Sequence, residues 1–277
     1  MKDLQISEKV EQLLVARNPR GMQTVRRALE PGYMMRAAKM INDHSNTVLI
    51  GTGFPVDNTF ETDGPPGAIA LYKAIEKLGG TPILACCDPL AKAIKDDYNV
   101  HTLIMGSLAE ARLEAQNTLQ QLKPTLLISI EHPGRAANGN YYNMRGDDIS
   151  TRCSGFDYFL SMAECPSIGI GDGGNEAGMG NVELTLKNLD IRASVVGCDE
   201  LVIADVSNWA AHGLLACLSR IKHQDFLDNW DNQAILQYLS NRGSVDGVTR
   251  KNTLTEDGLD SEIGENLIQE LKKVAGI

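Results

Sequence analysis

Asn46-Thr47-Val48-Leu49-Ile50-Gly51 is an apolar run that stops at glycine, and Thr52-Gly53-Phe54-Pro55 comes directly after it. The run reads as a buried strand that delivers its last residues into a loop. Downstream the theme repeats. Residues 66–78 read as a helix, with Pro66 suited to the first turn and Gly79-Gly80 as its stop. Residues 81–86 read as a second strand and 89–97 as a helix capped by Asp88. Strands over 100–105 and 124–130 flank a helix over 107–122, where Ser107 and Glu110 have capping-box spacing. A short helix leads into a strand over 167–171, and 192–204 hold one or two more. Near-continuous apolar strands alternating with helices imply an α/β fold. The expected architecture is a mostly parallel sheet with helices on both faces, Rossmann-like and three-layered. Upstream, 7–16 and 33–41 read as helices, and the last third of the chain is mostly helical.

Composition narrows the roles. The chain has 277 residues and a net charge of −10, from 26 Lys+Arg against 36 Asp+Glu. That balance argues against a nucleic-acid partner, which needs a phosphate-neutralising face. No apolar run reaches the roughly 20 residues that span a bilayer, so no membrane association is expected. Met1-Lys2-Asp3-Leu4-Gln5 has no apolar core of a secretory signal, and the six cysteines show no paired metal-finger spacing. They read as reduced thiols, and a cytoplasmic location is expected.

In a parallel sheet, ligands sit beyond the carboxyl ends of the strands. Those ends are Gly51, Cys86, Met105, Ile130 and Gly171. After the first comes Glu61-Thr62-Asp63-Gly64-Pro65-Pro66-Gly67-Ala68, which sets two carboxylates before a helix. No Gly-Lys-Ser/Thr is present there, and the third glycine of a dinucleotide fingerprint is missing. After Ile130 runs a long polar loop containing His132, Arg135, Tyr141 and Arg145. A loop of this length in a compact domain is usually functional or disordered, and its tyrosines favour function. His132 alone reads as surface. After Gly171 comes Asp172-Gly173-Gly174-Asn175-Glu176-Ala177-Gly178-Met179-Gly180-Asn181. Such a set can bind a hard cation or supply an acid and a base. Asp205 and Ser207 read as helix caps, and Asn208 as a ligand contact.

The motifs Gly51-Thr52-Gly53-Phe54-Pro55 with Glu61 to Ala68, and Gly169 to Asn181, resemble the D-glutamate cyclase C-terminal domain family. The resemblance extends over nearly the whole chain, so residues 1–277 are expected to form one α/β domain with helices of 1–45 packed on the sheet. It implies a lyase that converts D-glutamate to 5-oxo-D-proline with loss of water. The partner is then a small acidic metabolite, D-glutamate or 5-oxoproline, and a homo-oligomer is compatible with it. Cyclisation requires deprotonation of the amine and protonation of the departing oxygen, work for carboxyls whose pKa values are pushed apart. Glu61, Asp63, Asp172 and Glu176 are the candidates. Gly53, Arg135, Tyr141, Arg145, Asn175 and Asn208 are the candidates for substrate contact. Asp172 and Glu176 are the candidate ligands of a divalent cation, Mg or Mn, the one cofactor these residues suggest. Two other readings stand beside this one: a metal-assisted hydrolase or lyase acting on another small carboxylate or lactam, and a non-catalytic sensor of an acidic metabolite.

Overall fold

The computed structural model describes residues 2–277. Six parallel strands form the central sheet: β1 (Thr47–Thr52), β2 (Thr81–Cys86), β3 (Val100–Thr102), β4 (Leu126–Ile130), β5 (Ser167–Gly171) and β6 (Glu200–Ile203). Their order across the sheet is β3-β2-β1-β4-β5-β6. This is the doubly wound order, in which the chain first builds outward one way from β1 and then the other. β1 lies between β2 and β4, with Gly51 opposite both Ala85 and Ser129. The carboxyl ends of β1 and β4 therefore splay their loops apart at the switch point, the place where a ligand fits.

Helices α1 (Asp3–Leu14), α2 (Met22–Arg26) and α3 (Tyr33–His44) precede β1. The crossovers carry α4 (Pro65–Lys77), α5 (Leu90–Ile94), α6 (Leu108–Leu122), α7 (Phe156–Met162) and α8 (Glu183–Leu186). Then α9 (Ser207–Lys222), α10 (Asn232–Ser240) and α11 (Ser261–Ala275) complete the helical last third. A short antiparallel ribbon, Thr255–Glu256 with Leu259–Asp260, interrupts them.

Side-chain alternation distributes the core. Val48 and Ile50 join the larger cluster, with Met34, Ile69, Trp209, Leu214 and Leu271. Leu49 joins the smaller one, with Phe156 and Phe159 of α7 and Ala115 of α6. Gly51 also faces the smaller side, where a Cβ would enter the Phe156 ring. The helices thus cover both faces, and α3 lies directly on β4 and β6. Among the described residues, no helix is long and apolar enough to cross a membrane.

Two local expectations change, at the end of β3 and at the cap before α5. β3 stops at Thr102, and the residues beyond it leave Ile104 and Met105 exposed. Residues 192–204 hold the one strand β6, and 192–199 before it form a loop with a pinned backbone: the Val196 carbonyl accepts N–H bonds from Gly178 and Gly180. Asp88 caps no helix, because its carboxylate pairs with Lys92 at 2.8 Å and Pro89 takes the cap position. The Ser107–Glu110 capping box forms as its spacing indicates.

Candidate active site

The loops after β1, β4 and β5 meet in a cleft of about 790 Å³, counting its open mouth. The N-terminal arm and the C-terminal ribbon close it from the sides. Its floor is acidic: Glu61, Glu131 and Asp172 line it together with Asp257. Arg20 lies among them, 2.5 Å from an Asp172 oxygen and bonded also to Asp257. Arg145, Arg152 and Arg250 line the same cleft, with Arg145 exposed at the rim.

Asp63 lies beneath this floor. Its Oδ1 accepts the N–H groups of Asn208 (2.8 Å) and Gly64 (2.9 Å), and its Oδ2 that of Ser207 (2.8 Å). It thereby satisfies the first donors of α9, where the macrodipole favours an anion. Neither Asp205 nor Ser207 has that role: Asp205 accepts the Arg17 and Asn18 N–H groups instead. Burial pushes the Asp63 carboxyl up to about 7, helped by the Asp257 charge and opposed by the Asn208 and Ser207 donors.

The carboxylate of Glu61 faces the cleft and forms no hydrogen bond among the described residues. Burial first, then the charges of Asp257 and Asp63, hold its pKa well above the usual carboxylate range. Glu131 accepts the Ser207 hydroxyl at 2.6 Å and is raised likewise by burial and by Glu176, Asp63 and Glu61. Burial also raises Asp172, against the pull of Arg20. One oxygen each from Asp63, Glu131 and Asp172 lie within 4.8 Å of one another. These three carboxylates could hold a divalent cation, and Glu176 is not among them.

Glu176 has other work. Its Oε1 accepts the N–H of Gly173 (2.7 Å) and Asp172 (3.3 Å), and its Oε2 that of Gly174 (2.7 Å). The carboxylate thus clasps the loop that presents Asp172. A Cβ on Gly171 would lie 2.8 Å from this carboxylate, so the glycines let the backbone wrap it. Asn175 donates to the Tyr142 carbonyl at 2.8 Å, while its buried Oδ1 has no partner at the cleft wall.

The other candidates are placed elsewhere. Asn208 Oδ1 accepts from Gly64 and Gly67, and its amide donates to Thr62 O and Glu256, so it braces the loop and does not line the cleft. Arg135 pairs with buried Asp157 at 2.9 Å, 3.7 Å above the Tyr158 ring, and Tyr141 donates to the same Asp157 at 2.8 Å. Neither side chain reaches the cleft lining. Gly53 lines a neighbouring apolar pocket. His132 is buried, not on the surface, and contacts Ser154 at 3.0 Å, with burial lowering its pKa to about 4.

Glu131, Arg20 and Asp257 are not among the candidate site residues drawn from the sequence. Glu131 carried a signal, as the first residue after a strand end. Among the described residues, Asp57, Glu131, Arg250 and Asp257 are four of the eight non-glycine residues with positive φ, and all four line this cleft. Such strain persists where the surroundings enforce it, commonly at functional sites.

Known proteins resemble this chain. The family described as D-glutamate cyclase-like, C-terminal, matches residues 10–272. The human mitochondrial D-glutamate cyclase is 36% identical over 208 residues, which are 65% of this chain and 34% of that protein. The match thus takes in about a third of the human protein's length. With the match to residues 10–272, the chain belongs to the D-glutamate cyclase-like C-terminal family.

Proposed function

We propose that the cleft cyclises glutamate to 5-oxoproline with loss of water, with the D enantiomer as substrate in line with the human relative's name. One observation carries the reading: Glu61 and Glu131, both raised well above the carboxylate range, line one cleft beneath an arginine-bearing mouth. Carboxyls that burial and neighbouring charge raise out of the usual carboxylate range can serve as acid and base. Because they are coupled, they titrate as a set.

In this reaction the neutral amine attacks the carbon of the protonated γ-carboxyl, and its nitrogen then loses one proton to become the lactam N–H. The Glu61 carboxylate, without a hydrogen-bond partner among the described residues, takes that proton. Glu131, held by the Ser207 hydroxyl, gives a proton to the departing hydroxyl, which leaves as water. The unpartnered Asn175 Oδ1 accepts an amine N–H. Arg145 at the rim engages a substrate carboxylate, where the guanidinium fork suits two oxygens. Glu61→Gln and Glu131→Gln are expected each to lower kcat by at least about a hundredfold, the usual scale of acid–base catalysis. Full activity in both, with folding kept, would refute the assignment.

A second reading has a specific basis in the Asp63–Glu131–Asp172 trio. Its oxygens suit a hard cation such as Mg or Mn. Asp63 already accepts three N–H groups, however, and Asp172 is bonded to Arg20. The acid–base reading needs no change in those partners, so we place it first.

A further inference from the structure

Gly53 belongs to the motif that opens the site, yet it faces away from the acidic floor. With Phe54, Phe60, Pro89, Leu90 and Met105 it lines a pocket of about 590 Å³, counting its mouth, beyond the ends of β1 and β2. Gly53 has φ +107, and a Cβ there would meet Leu90 at 3.0 Å, so glycine keeps this wall open. Phe54, Pro55, Asp57 and Arg152 line both this pocket and the acidic cleft. The two are compartments of one site, one apolar and one charged.

We propose that the apolar pocket is a subsite for a group attached to the γ-carboxyl of the substrate, so that the site takes γ-amides or γ-esters of glutamate that carry an apolar substituent. The proposal rests on the cyclase reading of the acidic cleft. Ring closure leaves one place for such a substituent. The amine must stay free to attack, and the α-carboxylate is the handle for the rim arginines. The γ-carbonyl carbon is the atom attacked, and what it carries departs. In an anilide, the new bond joins the amine nitrogen to the γ-carbon, and the bond from that carbon to the anilide nitrogen breaks. The amine's proton finishes on the departing aniline, and the products are 5-oxoproline and the free aniline. An apolar pocket next to the acidic floor gives that leaving group somewhere to sit.

The test compares D-glutamate with its γ-para-nitroanilide on the full chain, by calorimetric binding and by release of the coloured aniline together with 5-oxoproline. Met105 and Asn58 are exposed residues lining the pocket, so Met105→Trp and Asn58→Trp fill it without entering the core. The anilide is expected to bind at least about tenfold more tightly than D-glutamate, and each tryptophan to erase that preference. Anilide binding no tighter than D-glutamate, or a preference that both tryptophans leave intact, overturns the subsite. Met105-dependent anilide binding without any 5-oxoproline from either compound supports the subsite and counts against the cyclase reading alone.

Discussion

Replacing Glu176 with glutamine tests how the site is assembled. The two residues have nearly the same shape, so the change isolates the charge and one acceptor atom. The Glu176 carboxylate accepts three backbone N–H groups, at 3.3 and 2.7 Å on Oε1 and 2.7 Å on Oε2. Glutamine loses least by keeping its oxygen at the Oε1 position and turning its amide toward Gly174. That leaves one charge-assisted bond broken and one buried N–H facing another donor, a cost of about 1.5–3 kcal/mol. At about 2–4 °C per kcal/mol for chains near this size, Tm should fall by about 3–12 °C. A second effect goes the other way. The Glu176 charge is the largest neighbouring charge raising Glu131. Without it, Glu131 releases its proton at lower pH, and the alkaline limb of the rate profile, where the acid is lost, moves toward acid. Thermal unfolding and kcat measured across pH report both effects on one variant. An unchanged Tm would refute the clasp, and an unchanged alkaline limb would refute the coupling of Glu131 to the reaction.

The same geometry has other consequences. Asp63 is at about 7 when folded against about 3.9 unfolded, so its contribution to stability is fully present below about pH 3.9 and is lost as pH rises through about 7. Denaturation of wild type and Asp63→Asn should therefore show a stability difference that shifts against wild type, by on the order of 4 kcal/mol, between pH 4 and pH 8; a pH-independent difference would contradict it. Arg145→Gln should raise KM about tenfold with kcat little changed, as loss of about 1.5 kcal/mol of carboxylate binding requires. Arg135→Ala should leave KM alone and cost about 3–5 kcal/mol of stability, because it strands the buried Asp157 carboxylate; a KM effect without destabilisation would reverse these roles. Dialysis against a chelator should leave turnover intact if side chains alone perform the chemistry, and metal-restored activity would favour the Asp63–Glu131–Asp172 trio as a cation site.

The fold was legible where pattern is local. β1, β2, β4 and β5 are apolar runs bounded by glycine, proline or polar residues, and the structure places all four close to those bounds. Of residues 192–204, where one or two strands are expected, 200–203 form one; a second does not form because the hydrogen bonds of Val195 and Val196 go to the Arg135 carbonyl and the glycine loop. The site was legible in part. Glu61, Asp172 and Asn175 line the cleft because each comes one to nine residues after a strand end. Arg20 and Asp257 were not, since their meeting spans 237 positions and depends on strand order, which periodicity does not encode. Once β1 is known to lie beside β4, the loops after Thr52 and Ile130 must face each other, and Glu131 becomes a site residue. Arg135 and Tyr141 have suitable chemistry, but Asp157, from α7, holds both. A buried partner contributed by a distant helix is invisible to spacing arguments.

The central claim is that carboxyls at the switch point close a glutamate ring. The most direct measurement is incubation of the protein with D-glutamate and separately with L-glutamate, then chiral chromatography and mass spectrometry. The account predicts 5-oxo-D-proline, one water lighter than its substrate, from wild type and none from Glu61→Gln. Ligand-induced thermal stabilisation by D-glutamate with no lactam formed would contradict it, and would mark the cleft as a binding site for an acidic metabolite.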